Sequence, residues 1–160
     1  MTEVKLTSRR QFCEHVCHLS AAALLGGAMS ALLQGCNSDD PASSSGSALT
    51  RIAATLSNGT IVLAIDASSP LASVGNAALV QYSNSSLLLA RTAQDTFVAV
   101  SAICTHQSCT ITNYSNSTYT CPCHGSQFNT SGQVTKGPAN TSLKKFQTTF
   151  ANNQLTITVA

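Results

Sequence analysis

Six residues in two short loops carry the chemistry of this chain. Cys104-Thr105-His106-Gln107-Ser108-Cys109 and Cys121-Pro122-Cys123-His124-Gly125-Ser126 each hold one Cys–His pair at chelating spacing and a second cysteine. We read them as the two halves of a 2Fe–2S site, with one iron held by two thiolates and the other by two imidazoles. Replacing two thiolates by imidazoles raises the reduction potential of such a site.

The other reactive side chains lie apart from these loops. The chain has four histidines and seven cysteines. His15, His18, Cys13 and Cys17 fall near the N-terminus, in what reads as a removable leader, and Cys36 lies at its end. The remaining two histidines and four cysteines are those of the paired loops. Scattered core residues would not segregate in this way. Cys13-Glu14-His15-Val16-Cys17-His18 is one residue too widely spaced for the C-x-x-C-H signal of covalent haem attachment.

C-T-H-x-x-C followed by C-P-C-H-G-S resembles the Rieske iron–sulfur proteins of respiratory and photosynthetic quinol-oxidising complexes, and the small subunit of arsenite oxidases. The resemblance covers roughly residues 50–160. Carried over by position, it implies that Cys104 and Cys121 bind one iron and His106 and His124 the other, and that Cys109 and Cys123 form a disulfide joining the loops. Such a cysteine pair is typically absent from the ferredoxins and oxygenases of ring-hydroxylating systems. A structural zinc module, the competing use of Cys and His, needs four ligands and leaves Cys109 and Cys123 unexplained. Hydrolysis at a metal is weaker still, because no carboxylate follows Asp95 to serve as acid or base.

The ligand set explains its own potential. Two Fe³⁺ and two sulfides carry about +2, two thiolates cancel that charge, and neutral imidazoles add none. Four thiolates would leave about −2, and a further electron would be harder to add. Oxidised iron also eases proton loss from a ligating imidazole, so electron uptake is coupled to proton uptake. Ser126 matches a serine that tunes the potential in quinol-oxidising relatives by hydrogen bonding to cluster sulfur. Three departures stand beside it. Phe128 replaces a tyrosine, which removes a donor and lowers the expected potential. Asn140 replaces the second proline of the loop that shields the cluster, here Gly137-Pro138-Ala139-Asn140. Gln107 stands where quinol-complex relatives commonly carry Leu on the surface that docks to cytochrome b.

The elements that must position these loops read as β-structure. The part after the leader is rich in Thr, Ser, Val, Ile, Leu and Asn, with frequent turn residues. Strands are expected over 49–56 and 60–65, flanking the hairpin signal Asn58-Gly59. Further strands are expected over 78–82, 87–92 and 96–101, and over 146–150 and 154–159 around a turn at Asn152-Asn153. The fold class is all-β: an antiparallel barrel or sandwich base over 49–160, with the cluster loops as a small inserted subdomain over about 102–140.

Residues 1–36 read as an export leader. Arg9-Arg10 precedes an apolar run from Leu19 to Leu33, which suits the twin-arginine route for folded, cofactor-loaded proteins. The run is shorter than the ~20 residues of a spanning helix. Leu33-Gln34-Gly35-Cys36 resembles a lipoprotein cleavage box with Cys36 as the lipidated residue; an uncleaved anchor is the alternative. Residues 37–48 read as a polar, flexible tether. The protein is thus expected outside the cytoplasmic membrane and associated with it.

Charged residues make up 9% of the chain and the net charge is +2, with +1 from the leader (Lys5, Arg9 and Arg10 against Glu3 and Glu14). That gives no basic footprint for nucleic acid. The expected role is an electron-transfer subunit rather than a stand-alone catalyst. Its partner is a cytochrome b of a quinol-oxidising complex, a molybdenum subunit of the arsenite-oxidase kind, or a c-type cytochrome served by a free-standing lipoprotein shuttle.

Overall fold

The computed structural model describes residues 46–159. The expectations for the leader, the Arg9-Arg10 signal, Cys36 and most of the tether lie outside these residues. Thirteen strands and no helix make up the described part, as the all-β reading requires. No helix among them is long and apolar enough to cross a membrane.

Eight strands build the base, in the order β2 (Thr50–Ala54), β5 (Ala77–Tyr82), β6 (Ser85–Ala93), β7 (Thr96–Ser101), β12 (Lys145–Ala151), β13 (Gln154–Thr158), β4 (Thr60–Ala64) and β3 (Leu56–Ser57). The two outermost strands, β2 and β3, are joined through Thr55 alone, and β2 also lies against β4. The sheet therefore curls into a nearly closed barrel. The pairs in it are antiparallel, as expected of the base, with one exception: β2 and β5 run parallel. The two-residue loop Asn58-Gly59 closes the β3–β4 hairpin with φ of 48° and 76°. Asn152 and Asn153, both at positive φ, close β12–β13. These left-handed pairs match the twist of the flanking strands.

Five short strands form a second sheet, β1–β8–β9–β10–β11. They are Ser47–Ala48, Asn113–Ser115, Thr118–Thr120, Gln127–Asn129 and Val134–Lys136. The tether expected over 37–48 thus gives way to a strand at Ser47. Within the sheet, Tyr114 faces Tyr119, Tyr119 faces Phe128 and Phe128 faces Val134. Four strands each contribute one ring or branched side chain to a single row, and the Tyr114 and Tyr119 ring centroids are 4.9 Å apart.

The run Leu87-Leu88-Leu89-Ala90 is apolar without alternation because both faces of β6 are covered. Leu87 and Leu89 join Ile61, Leu63, Val80, Phe97, Ala99, Leu155 and Ile157 inside the barrel. Leu88 and Ala90 join Leu79, Val100, Ile111, Tyr119 and Phe128 beneath the second sheet, in the same cluster as Cys104 and Cys121. Each such leucine contributes about 1.5–3 kcal/mol of burial. The middle of the barrel sheet is therefore the shared floor on which the site is built. The buried Arg91 guanidinium donates to the carbonyls of Leu71, Ala72 and Gln94, so its polar atoms are met by backbone rather than by a carboxylate.

Candidate metal centre

The two ligand loops are built to one backbone plan. In the first, Cys104 N–H donates to Cys109 C=O (2.8 Å) and Ser108 N–H donates to Cys104 C=O (2.9 Å). In the second, Cys121 N–H donates to Ser126 C=O (2.9 Å) and Gly125 N–H donates to Cys121 C=O (3.0 Å). The fifth residue of each loop is left-handed, Ser108 at φ 55° and Gly125 at φ 71°. That turn brings the loop back on itself without a helix or a ladder. Because the backbone curls around its first residue, Cys104 and Cys121 both point inward, at 2% and 1% exposure.

Both are free thiols. The Cys121 thiol is pushed up from its ordinary range, chiefly by burial and further by the neighbouring Cys104 thiol, which acts as a hydrogen-bond partner. Bound iron would hold both sulfurs as thiolates. Cys109 and Cys123 are bridged, with Cα atoms 6.5 Å apart. The bridge joins the loops in the pairing the family resemblance implies.

His106 is half-buried and His124 exposed. Their rings meet edge to face, with centroids 4.8 Å apart and an interplanar angle of 84°. Nδ1 of His106 is buried and has no hydrogen-bond partner. A buried, unpaired ring nitrogen is costly unless a ligand occupies its lone pair.

These observations fit a two-iron group. Two buried thiols lie together, two imidazoles lie together, and one inward-facing nitrogen waits for a partner. A single zinc ion fits less well. Among the described residues, the three or more potential donors within 4.8 Å of one another are Cys109, Cys121 and Cys123, of which two are consumed by the bridge. One tetrahedral ion would need Cys104, His106, Cys121 and His124 gathered more tightly than that.

Ser126 is fully buried, and its Oγ accepts the N–H of Ala139 at 3.0 Å. Thr105 Oγ1 donates to the carbonyl of Thr141 at 2.6 Å. The segment 137–141, which opens with a cis Gly137-Pro138 peptide, is thereby tied to both ligand loops. It contains Gly137-Pro138-Ala139-Asn140, the loop that the resemblance implies shields the cluster. Tyr119, which carries no motif signal in the sequence, is buried in the same cluster as Cys104 and Cys121, and its hydroxyl has no partner. Phe128 is fully buried opposite it. Gln107 is exposed beside His106.

A β-domain with two Cys–His loops joined by a disulfide is the arrangement of an iron–sulfur protein. The Rieske [2Fe-2S] domain matches residues 62–147, more than half of this chain, and the chain belongs to that family. Its cofactor is accordingly a 2Fe–2S cluster. Among curated relatives, the cytochrome b6-f complex iron-sulfur subunit of Nostoc punctiforme is 38% identical over 60 residues, which is 37% of this chain and 34% of the relative. The chloroplastic cytochrome b6-f complex iron-sulfur subunit of Pisum sativum is 48% identical over 46 residues, 28% of this chain and 20% of the relative. The chain thus spans about a third or less of the curated relatives it matches. Among solved structures, the quaternary ammonium Rieske monooxygenase CntA superposes with a TM-score of 0.52 at 14% identity, over 62% of this chain and 31% of that one, a likeness of fold alone.

Proposed function

We propose that this chain is the iron–sulfur subunit of a membrane quinol-oxidising complex of the cytochrome bc type, working on the outer face of the cytoplasmic membrane. Cys104 and Cys121 hold one iron, and His106 and His124 hold the other. The observation that carries the reading is the pair of imidazoles meeting edge to face, with His124 exposed and the two thiols buried. The likeness to cytochrome b6-f subunits supports the same partner class.

When bound, the cluster supplies one-electron acceptance at a potential raised by imidazole ligation. The protein supplies the rest. Buried Cys104 and Cys121 keep water from the sulfur side. Deprotonated while the iron is oxidised, the outer ring nitrogen of His124 or of His106 would accept the hydrogen bond of a hydroquinone hydroxyl and take up its proton as one electron leaves; the second electron and proton would pass to the partner cytochrome b. The Cys109–Cys123 bridge keeps the two imidazoles in register. The buried Ser126 hydroxyl would donate to cluster sulfur and so raise the potential.

The test is a redox titration of the cluster-loaded full chain from pH 6 to 10. A positive potential that falls as pH rises fits proton-coupled transfer from a quinol. A lower potential, flat through the neutral range, sinks the quinol reading. It would favour relay to a molybdenum subunit of the arsenite-oxidase kind or to a c-type cytochrome, the reading that the exposed, polar Gln107 beside His106 supports.

Export by the twin-arginine route and attachment through Cys36 or an uncleaved anchor complete the proposal. The Arg9-Arg10 pair supports it, as does a disulfide suited to an oxidising compartment. Arg9→Lys with Arg10→Lys should leave the protein in the cytoplasm. Normal export of that variant would overturn the route.

A further inference from the structure

The segment 137–141 makes one hydrogen bond to each ligand loop, and the two bonds differ in kind. Thr141 offers a carbonyl to the Thr105 hydroxyl in the first loop. Ala139 offers its N–H to the Ser126 hydroxyl oxygen in the second. The second bond uses Ser126 as an acceptor. Its own hydrogen is left uncommitted, because among the described residues no hydrogen bond donated by that hydroxyl is found. Ser126 is fully buried, and its carbonyl accepts from Cys121 N–H, so the hydroxyl is held against the loop that carries Cys121.

We infer that the strap 137–141 is a positioning element for the Ser126 hydroxyl, with the Ala139 N–H fixing where the serine hydrogen points. This rests on the proposed role of Ser126 as a donor to cluster sulfur. A hydroxyl oxygen that accepts an N–H has one lone-pair direction taken, which restricts the arc open to its hydrogen. Accepting a bond also polarises the O–H and strengthens what it donates, by about 10–30% in condensed-phase estimates. A buried hydroxyl without that partner would turn toward any acceptor in reach. Ala139 is thus a positioning residue acting through its backbone. Thr105 acts one step further out, by holding the far end of the strap to the other loop.

The experiment compares midpoint potentials and the cluster EPR spectrum in the full, cluster-loaded chain. Ser126→Ala should lower the potential. Ala139→Pro, which removes the N–H, should also lower it, and the double variant should fall no further than Ser126→Ala alone. Ala139→Gly keeps the N–H and should leave the potential where it was. If Ser126→Ala does not move the potential, the donor role of Ser126 fails and this inference falls with it. If Ser126→Ala lowers the potential while Ala139→Pro holds an intact cluster at the original value, the positioning role alone is overturned. Equal shifts in Ala139→Gly and Ala139→Pro would assign the effect to the buried methyl group, which also overturns it. Should Ala139→Pro fail to hold a cluster, Thr105→Val decides. A smaller downward shift, restored by Thr105→Ser, supports the strap, and an unmoved potential overturns it.

Discussion

The His106 imidazole stands edge to face against that of His124, one from each ligand loop, with 4.8 Å between ring centroids. Neither loop could hold this arrangement alone, since each contributes a single ring. The contact exists because both loops share one backbone plan and are bridged at Cys109 and Cys123. Replacing either histidine by alanine should therefore remove the mixed-ligand cluster altogether. EPR of the reduced protein reads this directly, and a retained Rieske-type signal in either variant would sink the ligand assignment.

The bridge itself should matter to stability. Cys109 and Cys123 are 14 residues apart, and closing a loop of that size stabilises by roughly 3 kcal/mol in the chain-entropy account. Denaturant unfolding of the cluster-free protein, with and without the double Cys→Ser change, gives the difference. An unchanged midpoint would mean that the loops are held by their hydrogen bonds alone.

Gly125 occupies its loop for conformational reasons only. A side-chain carbon there would meet nothing within 4 Å, yet φ is 71°. Gly125→Ala should cost about 1–2 kcal/mol, the left-handed penalty, and Gly125→Asn less. The matching position in the first loop already carries a non-glycine residue, Ser108, at φ 55°. Thermal unfolding of the two variants checks the order, which a steric requirement for glycine would reverse or erase.

Tyr119 provides the pH test. Burial pushes its phenol well above the ordinary value near 10. Above that value the unfolded chain loses the proton and the folded chain keeps it. The unfolded state then binds fewer protons, and stability falls as pH rises. Below it both states are protonated and the residue adds no slope. Tyr119→Phe should flatten the alkaline limb of the stability profile above about pH 10. It should also be neutral or stabilising at pH 7, because it removes a buried hydroxyl with no partner. A clear loss of stability at pH 7 would show that the hydroxyl is paired in solution.

The barrel was legible from sequence because its strands are long and its turns carry strong signals. Asn58-Gly59 and Asn152-Asn153 mark hairpins by their tolerance of positive φ, and the closing strands followed from them. The six chemical residues were legible because their types and spacing are rare together. The second sheet was not. Asn113–Ser115, Thr118–Thr120 and Gln127–Asn129 hold one ring each between polar neighbours, too few residues for a period-2 pattern to register. Their shared row exists only once four separate strands have met. The ties from Ala139 to Ser126 and from Thr105 to Thr141 were equally hidden, since they join residues 13 and 36 positions apart through backbone groups that every residue carries.

The path of the chain into the domain has a mechanical consequence. Ser47 and Ala48 zip onto Tyr114 and Asn113 of the cluster-bearing sheet, and Leu49 N–H donates to Thr112 C=O, before Thr50 begins the ladder with the barrel strand β5. A force arriving at Gly46 is therefore received by the sheet that carries the ligand loops, and the barrel follows behind it.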